Sequence, residues 1–177
     1  MKRFILTGAP GAGKTAVLRQ LEREGFSVVE EAATDVIALE QANGVAEPWT
    51  DAAFIDRIVD LQRIRQIRAA TAPDVVQFHD RSAVCTAALA AFLGYPASEA
   101  LSHELQRIER EGIFQKRVFF IRTMGFIKPT EARRISFEEA RRFEQVHERT
   151  YREHGFELVP IAPGGVLDRV AAVRRAL

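Results

Sequence analysis

The run Gly8-Ala9-Pro10-Gly11-Ala12-Gly13-Lys14-Thr15 constrains this chain more than any other stretch. Before it stands the short apolar segment Arg3-Phe4-Ile5-Leu6-Thr7, which reads as a buried strand. After it Val17, Leu18 and Leu21 recur at helical spacing. Gly8, Gly11 and Gly13 permit a tight backbone path whose amides converge on phosphate oxygens at a helix start. In such a cradle, with Ala12 and Ala16 alongside, Lys14 supplies a cation to the β and γ phosphates. Thr15 supplies a hydroxyl ligand for Mg²⁺. The pattern predicts a strand–loop–helix unit inside an α/β protein, with Mg·ATP as its expected ligand.

The remaining chain alternates in the same way. Strands are expected at Phe26–Val29, Asp74–Phe78, Val118–Ile121 and Glu157–Ile161. Helices are expected near 14–24, 32–42, 51–70, 83–94 and 97–111, from Ser136 to about His154, and finally up to Leu177. In the long third helix Phe54, Ile58, Leu61 and Ile64 fall on one face. Ser136-Phe137-Glu138-Glu139 is a capping box, because the serine and the glutamate can satisfy each other's orphan amides. Strands alternating with helices imply a three-layer α/β fold, with a mostly parallel sheet of about five strands covered on both faces. One domain over residues 1–177 is expected, with no repeat or linker.

Charge excludes some partners. Lys+Arg number 25 and Asp+Glu 24, and a net charge of +1 leaves no electrostatic footprint for nucleic acid or an acidic membrane. The least polar stretch, Ala83–Leu93, is too short to span a bilayer. The segment before Gly8 is too short for a signal-peptide core, so a cytoplasmic location is expected. Cys85 is the one cysteine, which excludes an internal disulfide and a cysteine-based zinc cluster; a small buried core residue is its expected role. Nothing in the sequence sets an oligomeric state.

Several polar residues stand where chemistry is expected. Asp80 follows an apolar strand, where a carboxylate can hold the Mg²⁺ hydration shell, or simply cap a turn. Arg81 beside it can bind a phosphate or a substrate hydroxyl, or form a surface ion pair, and His79 reads as a packed histidine. Glu30-Glu31 follows the second strand and so points toward the crevice at the strands' carboxyl ends. Two adjacent carboxylates can raise one pKa and furnish a general base, or can merely favour a helix N-terminus. Arg133 and Arg134, before the capped helix, can close over the γ-phosphate, whereas Arg141-Arg142 reads as a solvated face. Trp49, Phe54 and Gln62 are candidates to line an acceptor pocket, with helix core the plain alternative for Phe54.

With the phosphate loop, Asp80-Arg81-Ser82 and the late arginines, the chain resembles small P-loop kinases, among them deoxynucleoside and thymidylate kinases. It is most similar to the AAA-like small ATPases grouped with the nicotinamide riboside kinase half of NadR. The likeness runs from Phe4 to about Arg174 and includes a Tyr151–Gly155–Val159 pattern. It implies a P-loop NTPase fold with the phosphate-loop strand central, and an acceptor entering over the helices after strands two and three. It also implies an arginine-bearing lid around 125–145. By the same likeness Glu31 is the family's glutamate after strand two, Asp80 its metal or base carboxylate, and Arg81 the arginine partner. Gln62 corresponds loosely to a base-contacting glutamine, and Pro163-Gly164 to the loop near adenine. The chain departs from the pattern at Thr34, where an arginine is expected, and at Val84-Cys85-Thr86, where relatives often carry an aspartate.

The expected activity is transfer of the ATP γ-phosphate to a small, nucleoside- or nucleotide-like acceptor. The alternative is a P-loop ATPase or a non-catalytic nucleotide-binding regulatory module. A GTPase switch would need Asn-Lys-x-Asp, yet the only asparagine, Asn43, precedes glycine. A motor ATPase would normally carry an acidic pair after the third strand, and Asp80 is followed by arginine.

Overall fold

The computed structural model describes residues 1–71, 75–123 and 136–177. Strands β1 (Lys2–Thr7), β2 (Ser27–Val29), β3 (Val76–Asp80), β4 (Arg117–Ile121) and β5 (Glu157–Ile161) form one sheet in the order β2-β3-β1-β4-β5. Every strand pair is parallel, and β1 is central. Parallel neighbours need crossover connections, and the intervening helices supply them. These are α1 (Lys14–Arg23), α2 (Ala33–Ala42), α3 (Ala53–Ala69), α4 (Ala83–Leu93), α5 (Glu99–Glu111), α6 (Phe137–Glu153) and α7 (Val166–Arg175).

Side-chain alternation along β1 divides the core between the two faces. Phe4 and Leu6 pack with Val17, Leu18 and Leu21 of α1 and Val170 and Val173 of α7. Ile5 faces the other way, into a layer with Ile55 and Val59 of α3, Val84 of α4, Leu101 and Ile108 of α5 and Tyr151 of α6. The capping box at Ser136 is present in both halves: Glu139 N–H donates to Ser136 Oγ, and Ser136 N–H to the Glu139 carboxylate.

Two expectations shift. The third strand lies later than expected because it pairs with β1 through Lys2↔Val76 to Leu6↔Asp80, which carries His79 and Asp80 into the ladder. In α3 the buried apolar residues are Phe54, Ile55, Ile58 and Val59, while Ile64 is 44% exposed. The helix is wedged: Phe54 and Ile58 meet α2, whereas Ile55 and Val59 meet the α4–α5 layer, so its apolar face is broad and ends early. Among the described residues no helix is long and apolar enough to cross a membrane.

Candidate active site

Register builds the site. Leu6 stands opposite Asp80 and Val29 opposite His79, so the carboxyl ends of β2, β3 and β1 finish side by side. The phosphate loop, Asp80-Arg81 and Glu30-Glu31 leave the sheet from that edge, as open parallel sheets place their ligand crevices. Arg81 N–H still donates to Leu6 O at 3.0 Å, which continues the ladder into the loop.

Gly8, Gly11 and Gly13 all have positive φ, at 139°, 79° and 84°. Gly8 passes so close to β4 that a Cβ there would sit 2.3 Å from the Ile121 carbonyl oxygen. Gly13 caps α1, and Ala12 is fully buried. Lys14 opens α1 with its side chain turned inward, its Nζ donating to the carbonyls of Gly8 and Ala9 at 3.1 Å each. Burial foremost, then the charge of Arg81, brings its pKa down to about 8, although Asp80 and Glu31 pull the other way. Thr15 and Ala16 stand exposed at the helix start.

Beside the loop, Thr15, Glu30, Glu31, Thr34 and Asp80 border a cleft of about 300 Å³. Among the described residues no group of three His, Cys, Asp or Glu side chains could hold a metal alone. On this cleft Thr15 and the buried Asp80 are groups that could hold a cation such as Mg²⁺, an ion that keeps water and phosphate oxygens as most of its ligands.

A second cavity, of about 280 Å³, shares Glu31 and Thr34 with that cleft. Trp49, Phe54, Gln62, Phe92 and Phe143 line it, with Pro10 of the phosphate loop, Glu31 and Arg81 at one end. Thr86 donates to Gln62 Oε1 at 2.9 Å, and Tyr95 OH donates to the Trp49 carbonyl at 2.9 Å, which fixes both walls.

The two glutamates part company. Glu30 turns to Arg19 of α1, while Glu31 Oε1 accepts from Arg81 Nε at 2.6 Å and Glu31 Oε2 from Thr34 Oγ1 at 2.9 Å. The expectation that adjacent charges raise one carboxyl is therefore overturned. Burial does push the Glu31 pKa up, but Arg81, Lys14 and the Thr34 hydroxyl outweigh it and hold it at about 2. A carboxylate depressed in the folded state stabilises above its ordinary pKa of 4.5, and that contribution is lost as pH falls toward 2. The stability gap between the wild type and Glu31→Gln, measured by urea unfolding, should thus narrow across that window. A gap that stays constant would contradict the ion pair.

Arg81 makes a buried pair with Glu31 rather than the surface pair considered as its plain alternative, its side chain 9% exposed. His79 is buried, bonded to Gln77 Oε1 at 2.8 Å and packed edge-on against Phe114, and burial lowers its pKa to about 3. Arg141 and Arg142 are exposed, as a solvated face requires. Pro163 is exposed in the turn that leads into α7. Arg133, Arg134 and the expected lid as far as residue 135 lie outside the described residues; from Ser136 onward the chain is the capped start of α6.

Three residues at the site carried no recognised sequence signal as site groups. Arg169 of α7 reaches under the phosphate loop, donating to Ala12 O at 2.9 Å and to Arg122 O at 3.0 Å. Tyr151 OH meets Ser82 Oγ at 3.1 Å. His147 of α6 contacts Cys85 and Arg81. Each is a polar residue inside an amphipathic helix, indistinguishable in sequence from core or surface.

Solved structures share this fold. NadR protein in complex with NAD and AMP-PNP superposes with a TM-score of 0.71 at 20% identity, over 98% of this chain and 49% of that one. NadR with NR gives 0.70 at 20% identity, over 98% and 50%. This chain thus spans about half the length of those proteins. Deoxyadenosine kinase from M. mycoides, with products dCMP and dCDP, gives 0.63 at 10% identity over 98% and 97%. No curated protein sequence matches the chain. These likenesses establish the P-loop kinase-like fold, and the family model described as AAA domain matches residues 3–169, so the chain belongs to that family.

Proposed function

We propose that the chain transfers the γ-phosphate of ATP to a hydroxyl on a small, ring-bearing acceptor. One observation carries the reading: the phosphate loop and the aromatic cavity share a wall, with Pro10, Glu31 and Arg81 at the junction. A triphosphate seated on the loop amides and Lys14 would present its terminal phosphate to that junction. Trp49, Phe54 and Phe143 would enclose the acceptor ring and Gln62 would read its polar edge.

In the transfer, the acceptor oxygen forms a bond to the γ-phosphorus as the bridging β–γ oxygen leaves with ADP. Glu31, held ionised by Arg81, accepts the hydrogen bond of the attacking hydroxyl and aligns it. A carboxylate near pKa 2 is a weak base, so the proton leaves late, which a loose transition state tolerates. Lys14 neutralises developing charge, and Thr15 and Asp80 would hold a Mg²⁺ whose charge would add to that neutralisation. The residues available favour an unphosphorylated acceptor, since Arg81 is the only described cation on the cavity and it is engaged by Glu31.

The test is labelled ATP offered with nucleosides, nicotinamide riboside, nucleotides and aminoglycoside- or chloramphenicol-like compounds. Transfer to an unphosphorylated member is expected, and Glu31→Gln should lower it about 100-fold while ATP still binds. Hydrolysis that persists with transfer to none would favour an ATPase or regulatory module instead.

A further inference from the structure

Arg81 is the only non-glycine residue with positive φ among those described, at 73°. That conformation persists only where surroundings hold it. Its guanidinium is gripped from separate elements: Nε by Glu31 at 2.6 Å, and Nη1 by Cys85 Sγ of α4 at 2.9 Å and His147 Nε2 of α6 at 3.2 Å.

The proton positions follow from the acceptors. His147 Nδ1 lies 2.9 Å from the Phe143 carbonyl, which can only accept, so Nδ1 carries the hydrogen. The ring is fully buried, and burial first, then the Arg81 charge, brings its pKa to about 3. It is neutral, and Nε2 is a bare lone pair. Cys85 Sγ stands 2.8 Å from that lone pair, so the thiol hydrogen points at it. A directional chain results. Arg81 Nη1–H donates to the Cys85 sulfur, Cys85 S–H to His147 Nε2, and His147 Nδ1–H to Phe143 O. The second Nη1 hydrogen shares the Nε2 lone pair.

The chain ends on the cavity. Phe143 packs against the His147 ring at 4.1 Å and against Phe92 at 4.7 Å, and Phe92, Phe143 and Cys85 all line the cavity wall. We propose that Cys85 and His147 are positioning residues: they lock Arg81 against Glu31 and tie that pair to the α6 wall of the acceptor cavity. Without the chain, the Arg81 fork is left with unmet donors in apolar surroundings and is free to turn away from Glu31. Glu31 then loses the partner that aims its carboxylate. The effect on turnover rests on the phosphotransfer reading above; the hydrogen-bond chain itself does not.

Both parts are tested on the full chain. An imidazole nitrogen-15 spectrum at neutral pH should show His147 as the Nδ1–H tautomer, with its Nε2 resonance moved by Cys85→Ala; an Nε2–H tautomer overturns the proposal. Turnover is read as transfer to the best panel acceptor, or as phosphate release if none is accepted. His147→Leu and Cys85→Ala should lower kcat about 10- to 100-fold with the ATP KM within about twofold. His147→Gln and Cys85→Ser, which keep the acceptor and the hydroxyl donor, should return to within about fivefold of wild type. Should His147→Leu fail to fold, the near-isosteric Cys85 pair carries the comparison. Unchanged kcat in Cys85→Ala, or serine no better than alanine, overturns the proposal. A wild type with no ATP turnover at all refutes the phosphotransfer reading, and the nitrogen-15 result then decides this one alone.

Discussion

Replacing Lys14 is expected to abolish ATP turnover and, unusually for a core position, to stabilise the fold. The turnover loss, at least about 1,000-fold for Lys14→Ala, follows from removing the cation that the proposed reaction would set against the triphosphate. The gain in stability follows from burial. Lys14 is 5% exposed, and its pKa of about 8 lies below the ordinary 10.5. A lysine depressed in the folded state opposes folding wherever the unfolded chain stays protonated. That penalty is complete below about pH 8 and fades as pH rises toward 10.5. Lys14→Met keeps the aliphatic stem and removes the charge, so it should gain on the order of 1–3 kcal/mol at neutral pH. The same sign predicts ATP affinity weakening above pH 8 as Lys14 loses its proton. Phosphate release from labelled ATP and thermal melts of both variants check the two halves. Undiminished turnover would remove the loop from the site, and a lower melting temperature for Lys14→Met would contradict the cost of burial.

The second large effect is Gly8→Ala. A Cβ at Gly8 would meet the Ile121 carbonyl oxygen at 2.3 Å, and the φ of 139° is one that L side chains rarely adopt. The obstruction is backbone, one step past the last β1–β4 register pair, Thr7↔Phe120, so no rotamer change relieves it. A loss of about 3–5 kcal/mol is expected, read as a drop in the urea midpoint. Gly25→Ala is the matched control: its φ is 92°, but nothing lies within 4 Å of the added carbon, and it should lose only about 1 kcal/mol. Equal midpoints for the two variants would show that close approach at Gly8 is not what demands glycine.

The contrast between these glycines marks how far the sequence could be read. The loop, its flanking strand and the first turn of α1 are contiguous, and apart from the close approach at Gly8 the residue types there answer local demands. Positive φ calls for glycine, a phosphate calls for lysine, and Lys14, Val17, Leu18 and Leu21 recur at the helix period that buries them. The Ser136 capping box was legible for the same reason, since both hydrogen bonds join residues three apart.

The acceptor side was only half legible. Glu31, Gln62, Arg81 and Trp49 could be nominated from their places after strands and on helices, and the fold does bring them to one cavity. Their states could not be foreseen. Adjacent Glu30 and Glu31 look alike in sequence, yet one meets Arg19 and the other Arg81, because the chain turns between β2 and α2. The depressed Glu31 pKa comes from an arginine fifty residues away.

Sequence alone therefore determined the α/β layering and the phosphate cradle, because periodicity and turn chemistry act over a few neighbouring residues. Only the tertiary structure decided which groups face the cradle. The β2-β3-β1 register sets Asp80 and Glu31 beside the loop, and the packing of α6 on α4 carries His147 to Arg81 across 66 positions. Long-range pairing of that kind leaves no local pattern, since a buried polar residue is specified by the partner that satisfies it.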